Sequence, residues 1–371
     1  MRVAVQMSAP LLLGDAVTGG NPYGAAAEGQ EIDPMPRHLL ARAARSTALL
    51  ALLLAAGAGT AAGSPELTAA RVVASGPSDV PFHSPRGIAI DTARGEVLVA
   101  NSGAHRIEIF DLEGRRRGHH VHRVRDGQGD LIAGVPVALA VDAAGRTLVV
   151  DNAASYVDVL DFRGRTVARL ELAAGGDGGA VKDSPGSVAV TPAGEILVGT
   201  RGASGRVYRF GADYRPLGRW GEPGTGPGRL SGITGLAPLP DGRVVVTCMN
   251  TGLAVQIFSA AGEYVQGFGV HDVGPGNFSF PSGVAVTADG RIWVSDEIRQ
   301  IIQVFDFAGR FLGTVGGGGV APGEFQYPSA LASDGGACLA VTERVGNRFQ
   351  LLRIRPADAH LTLTESSTKG R

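Results

Sequence analysis

Ten polar residues recur at equivalent points along the chain: Arg86, Asn101, Asp151, Asn152, Arg201, Asn250, Asp296, Glu297, Glu343 and Arg344. Each lies just before one short apolar run or just after the next. Brought around one opening, they form a ring of arginines, carboxylates and amides. Guanidinium groups in such a ring hold an anionic ligand through charge-assisted, often bidentate, hydrogen bonds. Asp, Glu and Asn oxygens instead suit a hard divalent cation and metal-assisted hydrolysis. A plainer use competes with both. An Asp or Asn at the end of a strand accepts hydrogen bonds from the link that follows, and this is expected of Asn101, Asp151 and Asp296. Glu297 and Arg299 are expected as surface charges. Arg86, Arg201 and Arg344 have no turn role, so either a neighbouring carboxylate or a ligand should hold them.

Other chemistry-bearing stretches are weaker. His119, His120 and His122 sit among Arg115, Arg116, Arg117, Arg123 and Arg125. The surrounding guanidiniums oppose a bound cation, so a solvated, charge-protected edge strand is expected. Gly316 to Gly319 lacks the Lys-Ser/Thr of a phosphate loop and opens no helix. There is no Gly-x-Ser-x-Gly elbow. The two cysteines, Cys248 and Cys338, fall in non-adjacent repeats and are expected as small hydrophobes, not a disulfide.

The elements that position these residues are repeats. Gly87, Ala138, Ser187, Gly235, Gly283 and Ala330 each follow a turn and open an apolar stretch, at separations of 51, 49, 48, 48 and 47 residues. A fixed period near fifty marks a repeat fold. Within the fifth copy, strands are predicted at 284–287, 291–295, 301–307 and 311–315, separated by Gly, Pro and Asp turns. Four strands and no helical period make one propeller blade. The sixth copy has three strands before Pro356, and an orphan strand, Ala70–Ala74, precedes the first. The economical solution is an all-β, six-bladed β-propeller of four-stranded antiparallel blades, closed by that N-terminal strand completing the last blade.

Recurrent motifs sharpen this. Asp-Phe-x-Gly-Arg ends the third strand at 161–165, with variants at 111–115 and 306–310, and Gly-Pro-Gly-x-Phe or a relative stands at 226–230, 274–278 and 322–325. With the stretch 99–110, these resemble the NHL-repeat family of six-bladed β-propellers across roughly residues 67–355. Blades three and four depart from it by one extra residue between strands two and three. The resemblance implies a fold more than an activity. One related class, the peptide-amidating lyases, binds zinc through histidines just after the proline that leads into strand one. Here those positions hold Arg86, Val137, Gly186, Thr234, Ser282 and Ser329, so that site is absent. Sugar-lactone hydrolases of similar fold hold a divalent metal on Glu, Asn and Asp in the channel, which Asp151, Asp296, Glu343, Asn101 and Asn152 match in composition.

A formal net charge of −1 over 371 residues argues against general nucleic-acid binding, which needs a basic face. Arg37, Arg42 and Arg45 precede an apolar run, 48–56, and small residues to Gly63, the form of a secretory signal peptide. The domain reading is 1–34 a mis-called start or a disordered segment, 35–63 the signal, 67–355 the propeller and 356–371 a tail. The expected protein is exported, periplasmic or extracellular, monomeric and without a membrane span after cleavage. It binds a protein or peptide partner, or an anionic small ligand, at the channel mouth, with no cofactor required. The alternatives are a metal-dependent, lactonase-like enzyme with a divalent ion in the channel, and a structural subunit of an envelope complex.

Overall fold

The computed structural model describes residues 67–74, 81–126, 128–172, 183–336 and 338–355. The expected leader and tail lie outside them. Among the described residues, six four-stranded antiparallel sheets account for almost all the regular structure, and the one helix is a three-residue turn, Ser102–Ala104. The innermost strands are Ile88–Asp91, Pro136–Val141, Pro185–Val190, Ile233–Pro238, Pro281–Thr287 and Pro328–Ser333. Each packs against the next, and the sixth returns to the first, so the sheets form a ring. The sixth blade runs from Pro328–Ser333 through Cys338–Glu343 and Arg348–Ile354 to Leu67–Ala74 at its outer edge, where Val72 pairs with Gln350.

The ring is held by apolar contact between blades. Six buried clusters each join residues of two consecutive blades, the one between blades five and six combining Trp293 and Ile302 with Phe325, Leu339 and Leu352. Burial of this kind is the dominant stabilising term.

The repeated motifs now have physical roles. In Asp-Phe-x-Gly-Arg, Asp161 Oδ1 accepts the backbone N–H groups of Arg163 and Arg165, both at 2.9 Å, while Gly164 takes the left-handed turn position at φ +75°. Asp306 repeats the arrangement with Ala308 and Arg310. The Gly-Pro-Gly loops are clamped by a glutamine on strand three of the blade they enter. Gln303 accepts from Gly276 N at 2.8 Å and donates to Asn277 O at 2.6 Å, as Gln256 does with Gly228 and Arg229, and Gln350 with Gly323 and Glu324. The terminal apolar residue of each loop, Leu230, Phe278 or Phe325, is fully buried. Gln303→Ala would leave the Gly276 N–H without its acceptor and Asn277 O with Arg299 alone, and is expected to cost about 1–3 kcal/mol. A shift of the urea midpoint at constant slope checks it.

Candidate functional site

A bulge at the start of the inner strand sets the geometry of the channel mouth. In blades two to six the pairing of strands one and two slips there, between Pro136 and Ala138 in blade two and between Pro281 and Val284 in blade five. An extra, unpaired residue is thereby aimed off the ladder. These residues, together with the links between strands two and three, line a cavity of about 480 Å³ to which all six blades contribute.

Five of the ten sequence candidates line it: Arg86, Asn152, Arg201, Glu297 and Arg344. The other five are placed elsewhere. Asn101, Asp151, Asp296 and Glu343 are buried inside their own blades, each at 0–1 % exposure. Their hydrogen bonds hold the chain entering the blade as well as the link that follows. Asn101 Oδ1 accepts from His83 N at 2.7 Å. Asp296 accepts from Ser279, Phe280 and Arg299 N–H groups. Glu343 accepts from Gln326 N at 2.7 Å and from Arg348 Nε at 2.8 Å. Asn250 is exposed beside Gly232, and Met249 lines the cavity instead. The expectation of free surface charges at Glu297 and Arg299 is corrected. Glu297 accepts from Arg344 Nε at 2.7 Å, and Arg299 Nη1 donates to the carbonyls of Gly274 and Asn277.

The three arginines of the mouth differ in what holds them. Arg344 is paired with Glu297 and lies over the Tyr327 ring at 5.8 Å. Arg201 donates from Nη1 to Asn152 Oδ1 at 2.6 Å, a neutral partner from the preceding blade. The Arg86 backbone is fixed, its carbonyl accepting from Thr342 Oγ1 at 2.6 Å. Its exposed guanidinium has no ion-pair or hydrogen-bond partner among the described residues. The cavity wall below them is apolar, with Ile88, Val137, Val188, Ile233, Leu236 and Phe280. Met249 and Phe280 escaped the sequence reading because apolar residues there carry no chemical signal of their own.

These placements decide the metal question on donor chemistry. The carboxylates that could serve a divalent ion are spread over separate blades and committed to backbone N–H groups, arginine or histidine. Among the described residues no three His, Cys, Asp or Glu side chains stand together as a ligand set. The described residues do not fit a channel metal. Burial pushes the Cys248 thiol up to about 12, so it is protonated at neutral pH.

The expected solvated edge strand is present at Arg116–Val121, where His119 is exposed, but His122 departs from it. The outer strand of blade one, Arg116–Val121, ends before it. An inserted hairpin, Arg123–Arg125 with Leu131–Ala133, then turns His122 inward to 3 % exposure. Its Nδ1 donates to Asp151 at 2.8 Å and its Nε2 to Asp158 at 3.2 Å, both carboxylates 1 % exposed. Burial pulls the imidazole pKa down, but the hydrogen bonds and charges of the two aspartates outweigh it and raise it to about 9.

Six four-stranded blades in a closed ring, with a cavity at the mouth of the central channel, define a six-bladed β-propeller. The family model for the NHL repeat matches residues 82–110 and 278–305. The chain is an NHL-repeat propeller. No curated protein sequence matches it. Solved structures of the same fold include a gluconolactonase from Xanthomonas campestris, at 18% identity and TM-score 0.54, covering 79% of this chain and 97% of that one. A virginiamycin B lyase from Staphylococcus aureus aligns at 16% identity and TM-score 0.52, covering 78% and 89%. The PQQ-bound aldose sugar dehydrogenase of Streptomyces coelicolor aligns at 18% and 0.54, covering 80% and 99%. The likeness is one of fold, and the fold leaves room for enzymatic and binding roles alike.

Proposed function

We propose that the chain is an exported binding module that holds a small anionic ligand at the channel mouth. The Arg86 guanidinium, without a partner among the described residues, in a concave, largely apolar cavity carries this reading. A few polar groups on an apolar pocket of a few hundred Å³ is the usual form of a small-molecule site. Arg86→Gln removes the charge while keeping length, and is expected to weaken binding of short carboxylates and phosphate by about ten- to a hundredfold, the worth of one charge-assisted hydrogen bond. Titration calorimetry at low salt checks it, and an unchanged affinity overturns the assignment.

A protein partner on the same face is the second reading. Exposed Ile298, Val320 and Val345, at 55%, 67% and 51%, favour it, because all three lie in links or loops on the mouth side of blades five and six.

A further inference from the structure

We propose that the ligand is an organic dianion with two separated acid groups and an apolar middle, of the α,ω-dicarboxylate class. This rests on the anion-binding reading above and adds the spacing of the charges. Of the three arginines at the mouth, Arg344 is already neutralised by Glu297. The two left to meet a ligand, Arg86 and Arg201, belong to blades one and three. The whole of blade two stands between them in the ring.

The second anchor is built rather than incidental. A Cβ at Gly186 would sit 2.9 Å from Arg201 Cβ, so a glycine is what lets the arginine stem lie against the inner strand of blade three. Asn152, from blade two, fixes one guanidinium nitrogen and leaves the other donors and the full charge for a ligand. The cavity wall between the anchors is supplied by Ile88, Val137, Leu139 and Val188. A hydroxylated or charged middle would lose its hydration against these side chains without replacement. A single inorganic anion would reach one anchor and leave most of the roughly 480 Å³ unfilled.

The test is titration calorimetry of the intact protein with straight-chain α,ω-dicarboxylates from succinate to sebacate, length-matched monocarboxylates and inorganic phosphate. One diacid length is expected to bind at least tenfold more tightly than its monoacid. Arg86→Gln and Arg201→Gln should each bring that diacid down to the monoacid's affinity. Asn152→Ala, which frees Arg201 without removing it, should produce a smaller loss of the same kind, and it serves in place of Arg201→Gln if that variant does not fold. Diacids no tighter than monoacids, or a diacid affinity indifferent to Arg201, would overturn the two-anchor proposal while leaving anion binding in place. If no anion in the series binds, both readings fall.

Discussion

His122→Ala is expected to destabilise the propeller by about 3–5 kcal/mol, the usual consequence of removing one partner from a buried ion pair. The substitution leaves Asp151 and Asp158, both almost completely buried, without the cation between them. Arg169 still reaches Asp158 at 3.0 Å, but Asp151 keeps only backbone donors. The same group gives stability a dependence on pH. In the folded protein His122 holds its proton to about pH 9, against 6.5 for an ordinary imidazole. The unfolded chain therefore loses that proton first as pH rises. The stabilisation is complete below pH 6.5, declines above it and is gone once pH has passed about 9. A displacement of this size corresponds to about 3 kcal/mol. Urea unfolding at pH 6, 7.5 and 9 measures it. A wild-type decline that persists unchanged in His122→Ala would show that other groups cause it.

Gly283→Val should cost about 3 kcal/mol by forcing two blades apart. A Cβ at this position would lie 2.7 Å from Leu331 N and 2.8 Å from both Ala330 Cα and Ser329 O. All three are backbone atoms of the next blade, so no rotamer change can relieve the contact. The push would also strain the bond from Ser282 Oγ to Pro328 O, now 3.0 Å, which joins blades five and six beside the mouth. Gly317→Ala is the matched control, since a Cβ there meets nothing within 4 Å. It should stay within about 0.5 kcal/mol of wild type. Equal melting temperatures for the two variants would sink the packing argument.

The repeat made most of the architecture legible, because hydrophobic spacing and turn chemistry are local properties that each blade states again. The site was legible only to within a step of one residue. In a strand successive side chains face opposite ways, so Asp151 turns into its blade while Asn152, next in the chain, reaches the cavity. The end of strand two could be located from the sequence, but not the face on which each residue would fall. His122 was misread for a related reason. The inserted hairpin breaks the strand's alternation just before it, and its two aspartate partners lie 29 and 36 residues away, beyond the reach of any local pattern. In blade four the cavity-facing position is Met249, directly after Cys248 at the end of strand two, as Asn152 follows Asp151, and Asn250 stands one residue beyond it.

The pairing of Leu67–Ala74 with Arg348–Ile354 also fixes an order of events in synthesis. The first strand of the ring to leave the ribosome is the last to find its neighbour. At 5–20 residues per second, it waits for tens of seconds while the other blades are made. Until residue 354 has been added, the growing chain presents bare strand edges at both sides of the gap, the kind of surface that recruits wrong partners. The nascent protein is therefore most exposed to aggregation just before it is complete.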